Sequence, residues 1–69
     1  MLITFTEAQS KGPVAINPNQ IVSVFTVEKS ESEAMKPFVG KTAIVFSGGN
    51  VIVEDSYLEV VGKINGELR

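Results

Sequence analysis

An α+β fold is expected for this chain: a small antiparallel sheet or open barrel of about five strands with one C-terminal α-helix. Three observations predict it. Short runs rich in Val, Ile, Thr and Phe alternate with turn residues from Met1 to Val53, the pattern of strands joined by tight connections. Lys41 to Val53 reads strand, glycine turn, strand. Beyond Val53 the apolar residues change from strand to helix spacing.

The elements follow in order. Met1 to Thr6 is read as the first strand, with Met1, Ile3 and Phe5 on one face and Leu2, Thr4 and Thr6 on the other. Glu7 to Pro13 is polar and turn-forming, and Val14-Ala15-Ile16 makes a short second strand able to pair with the first. Asn17-Pro18-Asn19-Gln20 reverses the chain, because proline presets φ and asparagine bonds its own backbone. Ile21 to Val27 is the longest apolar run, apolar on both faces, and is expected to be the central strand. Glu28 to Gly40 is long for a hairpin connection. Its first half is charged, whereas Met35, Phe38 and Val39 are apolar and need a surface.

Lys41 to Phe46 and Val51 to Val53 flank the turn Ser47-Gly48-Gly49-Asn50. Tyr57, Val61, Ile64 and Leu68 then fall on one helical face, widened by Leu58 and Val60. Ser56 and Glu59 have the spacing of a capping box, with Asp55 as a competing N-cap. Asn65-Gly66 offers a stop, and Gly62 inside the helix suggests close packing against the sheet.

Size and composition bound the function. A chain of 69 residues is a single domain, 1–69, in the range where one core leaves little net stability. With no cysteine and no histidine, neither a disulfide nor a Cys/His zinc site reinforces it, which leaves tight packing or self-association. A homo-oligomer is therefore expected. The net charge is −2 and the six basic residues are scattered, so there is no basic stripe to follow a phosphate backbone and nucleic acid is disfavoured. The N-terminal stretch lacks the features of a signal peptide, and no apolar run is long enough to span a bilayer. No membrane insertion and a cytoplasmic location are expected.

Gly40-Lys41-Thr42 resembles the end of a phosphate-binding loop, but Met35 stands where that motif needs glycine and a strand follows where it needs a helix. Ser47 to Asn50 is read as a hairpin turn in preference to an anion nest. Glu54, Asp55 and Glu59 suggest either an oxygen-ligand metal site or helix capping, and capping explains them with less. Tyr57 is expected at the core rim with its hydroxyl in water. No nucleophile and base share a telling spacing, so no enzyme activity and no cofactor are expected.

The segments Ala15 to Val24, Lys41 to Phe46, Gly48 to Val53 and Ser56 to Ile64 resemble, in order and in turn residues, the small FlbD/SwrD family of flagellar-associated proteins. That resemblance implies a cytoplasmic, non-enzymatic accessory role and carries no catalytic residues with it. The chain departs from the family at Glu28 to Gly40, where relatives have a much shorter connection. Asn17 to Val53 also looks like the C-terminal half of a LytTR-type DNA-binding domain, and the strand-rich start is similar to CsrA-type RNA-binding dimers, both without the expected basic surface. Size alone also suits a phage-encoded accessory protein.

The leading expectation is thus a non-enzymatic binding or regulatory module acting through protein contacts, with Met35, Phe38 and Val39 as the partner-binding residues. The alternatives are an oligomeric small-molecule-sequestering protein and a nucleic-acid-binding regulator.

Overall fold

The computed structural model of the chain describes residues 2–28 and 36–67. It is an α+β fold of two antiparallel sheets and one C-terminal helix. Strand β1 (Ile3–Thr6) pairs with β2 (Pro13–Ile16), setting Ile3 opposite Ile16 and Phe5 opposite Val14. Ile3, Phe5 and Ile16 are buried whereas Thr4, Thr6 and Ala15 are exposed, so the period-two pattern of the sequence fixes which face packs. Lys11 closes this hairpin with φ 63°, the left-handed region, and its N–H donates to the Glu7 carbonyl.

The Asn-Pro turn forms as its chemistry dictates. The Asn17 Oδ1 accepts from the Asn19 N–H at 3.0 Å, and Pro18 opens a 3₁₀ turn over Pro18–Gln20. Strand β3 (Ile21–Thr26) leaves that turn and pairs with β4 (Thr42–Phe46), which pairs in turn with β5 (Gly49–Val53). The positive φ of the β4–β5 hairpin, 145°, falls on Gly49 at the start of the return strand, so Gly49 is the position in this hairpin that requires glycine.

The expectation that the Ile21 run is the central strand is corrected by the pairing. Spatial order in the larger sheet is β3-β4-β5, which puts β4 in the middle and β3 at the edge. The physical reason lies in the neighbours. Thr42, Ala43 and Ile44 of β4 are buried on both faces, while Val22 and Phe25 of β3 stay 72% and 49% exposed. An apolar run shows that a strand can be covered; pairing decides whether it is.

The two sheets meet at the end of β1. An isolated bridge joins Glu7 to Val53, the Ala8 N–H donates to the Ile52 carbonyl at 2.9 Å, and the Glu54 N–H donates to the Thr6 carbonyl at 2.7 Å. The two sheets, β1-β2 and β3-β4-β5, are thus joined through their backbones where the end of β1 meets the end of β5. Helix α1 (Tyr57–Glu67) packs against β3 and β1. Between these layers lies the core of Ile3, Phe5, Ile16, Ile44, Val53 and Val60, with Val14, Ile21, Val24, Val51 and Ile64 packed around it.

Three details of the helix differ from expectation. Its buried line runs through Val60 and Ile64, whereas Tyr57 is 43% and Leu58 80% exposed. The stripe is rotated because Val60, fully buried, is the residue seated over the core. The helix continues past Asn65-Gly66 to Glu67, since neither residue takes a positive φ there and the stop is not used. Gly62 does not mark close packing: a Cβ added there would meet nothing within 4 Å. Leu68 lies outside the described residues.

Candidate functional site

The carboxylates around the start of α1 are arranged by what each touches. Ser56 and Glu59 form the expected reciprocal cap: the Ser56 Oγ accepts from the Glu59 N–H at 3.2 Å, and the Glu59 carboxylate accepts from the Ser56 N–H at 3.5 Å. Glu54 and Asp55 do other work, which corrects the reading of them as capping groups. Glu54 holds Lys11 and, at 2.8 Å, Lys41. The hydrogen bonds from Lys11 and then Lys41 keep its carboxyl below the usual range.

Asp55 joins the helix to the first strand. Its Oδ1 accepts from the Thr6 N–H at 2.9 Å and its Oδ2 from the Lys63 ammonium at 3.0 Å. The Lys63 ammonium also donates to the Thr4 carbonyl at 3.1 Å and lies 5.2 Å from the centroid of the Phe5 ring. Partial burial pushes the Asp55 carboxyl up, but the Thr6 and Lys63 hydrogen bonds outweigh it and the net shift is downward. Charges so partnered serve as struts between elements. Among the described residues no three His, Cys, Asp or Glu side chains come together as metal ligands would, and no buried side-chain polar atom lacks a hydrogen-bond partner.

Of the predicted partner-binding residues, Phe38 and Val39 are described, and they differ in exposure. Met35 lies outside the described residues. Phe38 ends a 3₁₀ turn over Lys36–Phe38 and is half-buried, lining a concavity of about 230 Å³ with Glu7, Gln9, Asn50, Val51 and Ile52. Val39 is exposed. The turn is held where it rejoins the sheet: the Val27 N–H donates to the Lys41 carbonyl, the Gly40 N–H to the Val27 carbonyl, and the Lys41 N–H to the Phe38 carbonyl. Gly40 takes φ 90° at that point and leads into β4, so Gly40-Lys41-Thr42 serves as a strand entry.

A second concavity, absent from the sequence reading, lies at the opposite edge of the larger sheet. It has a volume of about 570 Å³, is widely open, and is lined by Val24, Phe25, Thr26, Glu28 and Tyr57. Successive strand side chains point to opposite faces. A surface that meets Val24, Phe25 and Thr26 together therefore runs along the backbone edge of β3. No described strand pairs with that edge. Sequence reasoning missed it because β3 was placed in the middle of the sheet. The available signal was that Ile21–Thr26 contains Ser and Thr beside its Val and Phe, whereas β4 carries the more continuous apolar run Ala43 to Phe46.

Among the described residues no helix is long and apolar enough to cross a membrane. Comparison with protein-family models, with curated proteins and with solved structures finds no match for this chain.

Proposed function

We propose that this chain is a non-enzymatic interaction module that works by protein contact, and that its docking surface is the free edge of β3 with the adjoining Tyr57. One observation carries this reading. The larger of the two concavities described above runs along a strand edge that bears no charge from Ile21 to Thr26 and leaves Val22 and Phe25 substantially in water. Soluble proteins ordinarily blunt such edges with lysine, proline or a covering segment, because an open edge templates strand addition. Val39, also exposed, stands as a second contact residue. The accessory, cytoplasmic role implied by the flagellar-family resemblance belongs to the same reading. The small-molecule alternative stands behind it: the concavity at Phe38, about 230 Å³, is below the usual range of ligand pockets, about 300–1,000 Å³, and the larger one, about 570 Å³, is within that range but too open to enclose a ligand.

A photo-crosslinking residue in place of Phe25, compared with the same residue in place of the exposed Thr4, tests the proposal in living cells. Protein adducts concentrated at position 25 are expected. Equal yields from both positions, or none from 25, would remove β3 as the docking edge.

A further inference from the structure

We infer that the edge of β3 docks a second copy of this chain, pairing antiparallel with the same strand to make a two-fold symmetric dimer with one continuous sheet. This rests on the reading of β3 as a docking edge and names its occupant. Three features of the molecule point to self-pairing.

The first is the contrast between the two outer strands. β2 is short, begins with Pro13, which has no N–H to donate, and follows Lys11, so that edge is blunted by familiar devices. β3 is longer and has neither proline nor charge. Its one irregularity, a register shift between Ile21 and Ser23, leaves Ser23–Thr26 in regular pairing geometry.

The second feature is charge. In the two-fold arrangement centred on Val24, each Ser23 faces Phe25 of the second copy, and the two Phe25 rings share the sheet face away from α1. Glu28, just past the strand, then lies at the opposite end from its counterpart, beside the uncharged turn Asn19-Gln20. A parallel pairing would stack the two Glu28 carboxylates. The side-chain amide oxygen of Gln20 accepts from the Ser47 hydroxyl at 2.6 Å, and the amide NH₂ carries the donors that a carboxylate accepts from.

The third is the size of the core. Only nine hydrophobic residues are buried among those described; the chain has no cysteine for a disulfide, and no metal-ligand cluster occurs among the described residues to add to them. Joining two such sheets satisfies the open backbone groups of both edges and withdraws Phe25 from water, adding stability by mass action.

Sedimentation equilibrium of the purified full chain, from about 1 to about 100 µM, reads the association directly. Twice the chain mass at the upper concentrations is expected. Ser23→Lys and, separately, Thr26→Lys place an ammonium group on an exposed β3 position of each copy, and each should raise the dimer dissociation constant about tenfold or more. Thr4→Lys, on an exposed position of β1, should leave it unchanged, and circular dichroism should match the parent for all three. Two independent lysine positions keep the test decisive if one variant folds poorly. A monomer throughout the range would overturn self-pairing, as would a dimer whose dissociation constant neither β3 lysine moves. In the in-cell crosslink from position 25, an adduct of twice the chain mass reports the second copy, an adduct of another mass reports a different protein on an edge that still docks, and no adduct removes the edge itself, so failure of self-pairing is distinguishable from failure of the docking reading.

Discussion

Gly62 sits exposed in the middle of α1 with ordinary helical backbone, and a methyl group added there meets nothing. Glycine in that setting only enlarges the entropy of the unfolded chain, so Gly62→Ala should stabilise the protein by about 0.5–1 kcal/mol, seen as a higher urea midpoint at unchanged slope. A drop in stability would show that the site is crowded after all. Gly40 and Gly49 have the opposite character, since their φ values of 90° and 145° disfavour any other residue. Asp55 is the residue whose role was least visible in the chain. Its place before the helix suggested a cap, but its partners, Thr6 and Lys63, are distant in sequence and become neighbours only through folding.

For α1, two kinds of information act at different strengths. The cap was legible because Ser56 and Glu59 are local partners whose bonds need only the backbone of one turn. Ser56→Ala should therefore cost about 1 kcal/mol, measured by urea denaturation. The orientation of the helix was half legible: period 3.6 identifies an apolar stripe but not its midline when Tyr57, Leu58, Val60 and Val61 are all apolar. The structure sets the midline at Val60. Leu58→Ser should change stability by no more than about 0.5 kcal/mol, whereas Val60→Ser should be severely destabilising, because it buries a hydroxyl and opens a cavity in the core. Equal effects at the two positions would refute this orientation. Strand β3 shows the same limit, since apolarity on both faces is compatible with a middle strand or with an edge that awaits a partner.

Across the whole molecule, the ion pairs tie parts that share few other links. Glu54 connects the β1–β2 loop, through Lys11, to the entry of β4, through Lys41, and Asp55 with Lys63 clamps α1 to β1. Both carboxyls are held below their ordinary values. A carboxyl with a depressed folded-state pKa contributes stability that is fully present above its unfolded value, about 3.9 for Asp and 4.3 for Glu, and is lost as pH falls through the folded value. Thermal midpoints should accordingly be flat near neutrality and fall below about pH 5. Asp55→Asn should lower the neutral-pH midpoint and flatten that acid limb. An acid limb as steep as the parent's would mean that Asp55 titrates alike in folded and unfolded chains. Phe38 belongs at this scale too, because its half-buried place beside Val51 and Ile52 depends on how the 28–40 connection returns to the sheet.

Turns, strand faces, the helix start and the α+β class were written in neighbouring residues, because each follows from φ preferences, periodicity or a hydrogen bond reaching three positions along the chain. Strand order, the midline of α1, the partners of Glu54 and Asp55, and the β3 edge that no described strand covers came only with the assembled fold. They are relations between segments far apart in sequence, selected by competition for one small core, and a one-dimensional pattern of apolar residues is satisfied equally well by several such arrangements.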